Sequence, residues 1–82
     1  STYNGLGLAY YHKSDYEQAI KYFILGLDLA EQTSSDNAKV NFYNNIGLVY
    51  HDINDLDKAM HYYQLSFETG KKINNTKAIA RG

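Results

Sequence analysis

Eighty-two residues suffice for one small domain, close to the lower size limit for a self-sufficient core. Eight Lys+Arg against nine Asp+Glu leave a formal charge of -1, which argues against a nucleic-acid or membrane-surface binder working by bulk electrostatics. With no Cys there is neither a disulfide framework nor a thiolate metal site, and with no Pro the strongest helix breaker is missing. No apolar run approaches a membrane span and no signal peptide opens the sequence, so a cytoplasmic location is the expectation.

The chain reads as all-α throughout. Residues 1–13 place Tyr3, Leu6, Gly7 and Tyr10 at i, i+3, i+4, i+7, one face of a helix. Ser14 with Glu17 three residues on has capping-box spacing, so a second helix is expected from Asp15 or Tyr16. Its inner face is Tyr16, Ala19, Ile20, Phe23, Leu27 and Ala30, and Thr33-Ser34-Ser35 ends it. Asp36 serves as N-cap of a third helix running from about Asn37 to Ile53, with Ala38, Val40, Tyr43, Ile46, Gly47 and Tyr50 on its apolar side. Asn54 caps a fourth helix over about Asp55 to Lys72, with Leu56, Ala59, Met60, Tyr63, Phe67 and Ile73 inward. Asn74-Asn75 reads as a turn, and Thr76 to Gly82 as the opening of another helix.

A fixed offset of 40 residues organises all of this. Tyr3, Asn4, Gly7, Leu8, Tyr10, Asp15, Ala19, Tyr22 and Leu25 recur as Tyr43, Asn44, Gly47, Leu48, Tyr50, Asp55, Ala59, Tyr62 and Leu65. Self-similarity at one period is the mark of a repeat architecture. Repeat one spans about 1–35, repeat two about 36–75, and residues 76–82 begin a third. Ser1 aligns with Asn41 inside a helix and Gly82 with Phe42, so the chain is expected to belong to a longer array. Mid-helix Gly costs about 1 kcal/mol against Ala, yet Gly7 and Gly47 occupy one repeated place on the apolar side. Such a glycine admits close approach of a second helix, here expected against Ala19 and Ala59, with Tyr10 and Tyr50 across the seam. Gly26 and Ser66 form another matched small position. Each copy is then a tight antiparallel hairpin that must stack on its neighbours.

The pattern Tyr3, Leu6-Gly7, Tyr10, Ala19, Phe23, and again Tyr43, Ile46-Gly47, Tyr50, Ala59, Tyr63, resembles the tetratricopeptide repeat signature. The resemblance covers nearly the whole chain, twice in register. The opening Trp is Tyr in both copies, the closing Pro is missing, and the period exceeds the usual length of about 34 residues. That looks like the long-repeat variety of bacterial regulators, peptide-pheromone receptors and kinesin light chains. The resemblance implies an α-α superhelix, a solenoid of antiparallel helix pairs whose first helices line a concave side and bind a protein or peptide.

On the third helix, Asn37, Asn41, Asn44, Leu48 and His51 form a stripe at spacings 4, 3, 4, 3. An Asn amide carries one acceptor and two donors, the complement of a peptide backbone of any sequence. In related long-repeat proteins such Asn residues grip an extended peptide. Asn4 and Asn44, the matching pair, are the first candidates and Asn41 the next; a plain solvated face explains the same residues equally well. Leu8 and Leu48 read either as the apolar floor of a groove or as packing for the next repeat. Lys77 and Arg81, one turn apart, suit a peptide carboxylate or simply a basic surface. His12, His51 and His61 have no metal-ligand spacing, and neither a nucleophile triad nor a phosphate loop is present, so no metal, cofactor or enzymatic activity is expected. The alternative to peptide binding is a self-association scaffold, with copies stacked end to end through exposed terminal helix faces.

Overall fold

The computed structural model describes the backbone of residues 2–81 and the side chains of residues 2–74. Four helices follow one another: α1 (Thr2–His12), α2 (Tyr16–Gln32), α3 (Asp36–Asp52) and α4 (Leu56–Arg81), with no strand among the described residues. α1 packs on α2, α2 on α3, and α3 on α4, which gives two hairpins in sequence.

The three connections are copies of one device. Ser14, Ser34 and Asn54 adopt left-handed backbone, with φ of 63°, 55° and 67°. In each turn this residue and the next donate their N–H groups back into the closing helix. Ser14 bonds to the Tyr11 carbonyl and Asp15 to that of Tyr10, each at 2.9 Å. Ser34 and Ser35 bond to Glu31 and Ala30, and Asn54 and Asp55 to His51 and Tyr50. This is the Schellman arrangement. The second residue of each pair then opens the next helix: side-chain oxygens of Asp15, Ser35 and Asp55 accept from the N–H of Gln18, Ala38 and Lys58 at 3.3–3.4 Å. The caps therefore fall one residue away from the expected Ser14, Asp36 and Asn54. Ser14 and Asn54 are spent on the left-handed position and cannot also cap, while Asp36 already lies in the first turn of α3.

A second repeated device sets the helix spacing. A Cβ built on Gly7 would overlap the Phe23 ring, and one on Gly26 would overlap Phe42. A Cβ on Gly47 would stand 2.7 Å from Tyr63. Each pair is one glycine and the aromatic residue sixteen positions later, one pair per helix–helix contact. The glycines thus receive rings rather than the expected alanines, because a flat ring fills the space over bare backbone and an alanine methyl leaves it empty. Ala19 and Ala59 are nonetheless buried. Tyr10 does cross its seam, stacking on Tyr22 at 5.5 Å, and Tyr50 stacks on Tyr62 at 5.7 Å in the second hairpin.

The core is Ala19, Phe23, Ala30, Phe42, Ile46 and Val49. Phe42 and Val49, absent from the expected apolar face of α3, are buried because α3 lies between α2 and α4 and covers both. The expected inner face of α4 is corrected in turn. Ala59 is buried and Tyr62 half-buried, but Leu56, Met60, Tyr63 and Phe67 are exposed, since among the described residues α4 has a helix on one side only. Leu6 is likewise on the outer side of α1. Nor does the chain turn at Asn74-Asn75: α4 runs unbroken through them to Arg81. Asn costs a helix only a few tenths of a kcal/mol, and among the described residues no later helix packs on α4 to favour a reversal.

Two stability predictions follow from these devices. Ala at Gly7 presses on Phe23, which is 1% exposed and cannot move, so Gly7→Ala should cost about 1–3 kcal/mol. Gly47→Ala should cost less because Tyr63 can swing outward, and Gly70→Ala, with open space at its Cβ, should gain up to about 1 kcal/mol. Urea denaturation of the three variants checks the order. In the turns, Ser34→Gly should raise stability by roughly 0.5–1 kcal/mol by removing the left-handed Cβ penalty, and Asn54→Gly by less, as Asn tolerates that conformation. Thermal midpoints of the pair decide.

Candidate functional site

α1 and α3 are the first helices of the two hairpins, and two side-chain bonds tie them together. Asn45 Nδ2 donates to Asn4 Oδ1 at 2.7 Å. Tyr11 Oη donates to Asp52 Oδ2 at 2.5 Å. Both pairs are separated by 41 residues, one period plus one. Lateral neighbours on the stacked helices are therefore staggered by a single position from the repeat equivalence.

Between the helices lies a hollow of about 110 Å³ lined by Asn4, Ala38, Asn41 and Phe42. Beside it, toward α2, a second hollow of about 220 Å³ is lined by Gly26, Leu29, Ala30, Thr33, Ser35, Ala38 and Phe42. Ala38 and Phe42 form walls of both. One hollow thus offers amide donors and acceptors, and its neighbour offers apolar surface of side-chain size.

Of the expected site residues, the structure brings Asn4 and Asn41 to one cavity. Asn37 and Asn44 are exposed on α3 and line neither hollow. Leu48 is 36% exposed, while its counterpart Leu8 packs against the core. His51 is exposed near the far end of α3, its Nδ1 3.7 Å from Asp52 Oδ1. The side chains of Lys77 and Arg81 lie outside the described residues. Asp36, at the start of α3, pairs with Lys39 at 3.5 Å and with Lys72 of α4 at 3.8 Å; both pairs lie at the surface with Asp36 half-buried, and such surface pairs contribute about 0–1 kcal/mol each.

Asn45, Tyr11 and Asp52 were not among the expected residues. Asn45 matches Gly5 in the other copy, Tyr11 matches His51, and Asp52 matches His12, so a search for repeated residues passes over them. A search for complementary polar pairs one period plus one apart finds both ties.

The Tyr11–Asp52 bond has an electrostatic signature. It is the main cause that pushes the Tyr11 hydroxyl up to about 12, followed by partial burial and the negative charge of Asp52. Tyr62 is also raised, first by burial and then by Tyr50 and Tyr43. Among the described residues no three His, Asp or Glu side chains are grouped to hold a metal ion, and no helix is long and apolar enough to cross a membrane.

A folded-state value above the unfolded one means the Tyr11 contribution is complete below pH 10 and is lost as pH climbs from 10 through about 12. The stability advantage of the wild-type chain over Tyr11→Phe should be constant from neutral pH to pH 10, where the Asp52 carboxylate is ionised, and shrink across that window. Denaturation curves at stepped pH measure it, and near-ultraviolet titration of Tyr11→Phe should lack one late-ionising component.

A family model described as tetratricopeptide repeat matches residues 1–72. No curated protein and no solved structure matches the chain.

Proposed function

From the premise that the chain belongs to the tetratricopeptide repeat family, whose repeats mediate protein–protein interaction, we propose that its α1–α3 face binds an extended peptide of a protein partner. The observation that carries this reading is the junction of the amide-lined hollow at Asn4 and Asn41 with the apolar hollow beside it. An extended peptide needs both kinds of surface: polar groups for its backbone, and a dry recess for alternate side chains.

The roles divide by what each side chain already does. Asn4 spends its carbonyl oxygen on Asn45 and positions the wall of the hollow. Asn41, at the hollow, and Asn44, exposed one turn along, grip peptide amides and carbonyls. Asn37 extends the stripe toward the start of α3, Leu48 and His51 flank it toward the other end, and Lys77 and Arg81 receive a peptide carboxylate. The role is that of a non-catalytic repeat scaffold. The 40-residue period favours the long-repeat varieties of bacterial regulators, peptide-pheromone receptors and kinesin light chains, acting in the cytoplasm.

A library of short capped peptides, titrated against the isotope-labelled chain and read by NMR, tests the assignment. Peptides that bind should shift the side-chain amide signals of Asn41 and Asn44. Asn41→Ala and Asn44→Ala should each weaken binding about 5–10-fold, the equivalent of about one net hydrogen bond. N-methylation of the peptide backbone should weaken it similarly. Equal affinity in both variants removes the amides from the mechanism.

A further inference from the structure

We infer that the Asp52–Tyr11 end of the α1–α3 face is a cation subsite, which receives a Lys or Arg side chain of the bound peptide. The inference rests on the peptide-binding reading above and adds a ligand chemistry to it. Asn41, Asn45, Leu48 and Asp52 follow one another on α3 at spacings 4, 3 and 4, so they share one side of that helix. Asp52 therefore closes the stripe that Asn41 opens. The two polar ties agree with this placement, since Asn45 and Asp52 each reach across to α1.

The charge at this end is negative and unbalanced. Asp52 is the last residue of α3, where a carboxylate adds to the negative end of the helix dipole instead of offsetting it. Tyr11 lies in the last turn of α1, a second helix end of the same sign. Its hydroxyl donates to Asp52 Oδ2, and being neutral it orients the carboxylate without cancelling the charge. The lysines nearest in sequence are directed elsewhere. Lys13 lies 6.0 Å from the centre of the Tyr10 ring, and Lys58 reaches Asp55 at 3.9 Å and the Tyr50 ring at 5.3 Å. The other acid of α3, Asp36, has Lys39 and Lys72. Among the described residues Asp52 has Tyr11 and His51 as polar neighbours, and no Lys or Arg pairs with it.

Aromatic rings and access complete the subsite. The Tyr11 ring stands 6.0 Å from that of Tyr16 at the start of α2. Tyr16 and Tyr63 are both close enough to add to the upward push on the Tyr11 hydroxyl. Ring faces attract an ammonium or guanidinium group. The Asp52 side chain is 30% exposed, reachable yet partly shielded from water. His12, Lys13 and Ser14 on one side, and Ile53 and Asn54 on the other, are exposed, so an extended peptide can run past this point. The cation is then a side chain rather than a chain end. Asn44 and Asp52 are eight residues apart on α3, about 12 Å along its axis. An extended peptide covers that distance in about four residues, which sets the spacing between the residue held at Asn44 and the cationic one.

The test uses acetylated and amidated octapeptides that carry one Lys at each place in turn, each compared with its norleucine counterpart at pH 8 and low salt. Affinity is read by NMR titration through the Asn41 and Asn44 side-chain amides. For peptides that move these signals, Lys at one place should strengthen binding about 3–10-fold over norleucine. Asp52→Asn keeps an oxygen for the Tyr11 hydroxyl and removes the charge, and it should bind the two peptides alike. Tyr11→Phe removes the tie and keeps the charge, and it should retain the Lys preference. Equal binding of Lys and norleucine peptides by the wild-type chain overturns the subsite while leaving peptide binding intact. So does a Lys preference that persists in Asp52→Asn, or one carried instead by a free N-terminal amine when the acetyl cap is left off. If no peptide moves the Asn41 and Asn44 signals, the peptide-binding reading itself fails and the subsite falls with it. Circular dichroism melts verify the fold, and Asp52→Ser takes the place of Asp52→Asn if that variant has lost helix.

Discussion

The architecture rests on the removal of a methyl group at three places. Wherever two successive helices meet, one glycine lets an aromatic ring lie on bare backbone: Gly7 under Phe23, Gly26 under Phe42, Gly47 under Tyr63. A mid-helix glycine is a local loss of about 1 kcal/mol. The loss is offset because a buried ring removes far more apolar surface from water than a methyl does. The constant separation of sixteen residues means that the lock and the intervening turn form one unit. A helix of fixed pitch, a three-residue break and an antiparallel return bring the ring back over the glycine without adjustment elsewhere.

The turns supply that constancy. Ser14, Ser34 and Asn54 fall at intervals of twenty residues, so the chain repeats its backbone path twice within each forty-residue period. α1, α2 and α3 each end with two N–H groups returned to their last carbonyls, and the residue that returns the second one caps the next helix. Sharing that residue between two helices leaves no loop to wander. It fixes the angle at which each helix departs, and so the position at which the next aromatic arrives.

The fold was legible in the sequence because the repeat writes the same physics twice. Gly7 and Gly47 at one place announced close packing, and helical spacing of the apolar residues announced the helices. What stayed hidden depended on relations that no single segment contains. Ser14 with Glu17 has the letters of a capping box, but whether Ser14 accepts a bond or turns left-handed depends on how α1 ends. Met60 and Phe67 have the same helical spacing as Ile20 and Leu27, and only the presence or absence of a covering helix makes one pair half-buried against the core and the other surface. The amide-lined face was half legible. Asn4 and Asn41 meet at one hollow as amides on facing helices can, but the bond that anchors Asn4 comes from the unrepeated Asn45.

The one-residue stagger between α1 and α3 separates two tasks along the same helices. Residues that recur at the exact period build the glycine locks of Gly7 and Gly47 and the tyrosine stacks within each hairpin. Residues that touch between hairpins are related by one period plus one, so a favourable contact needs two different side chains at two different places. Asn4 with Asn45 and Tyr11 with Asp52 satisfy that condition once each. Perfect repetition would leave such pairs to chance, since the same residue would have to complement its own neighbour. Divergence between copies is therefore what gives each junction in the stack its own polar chemistry. A face made of such junctions can differ from step to step while the frame that carries it stays the same.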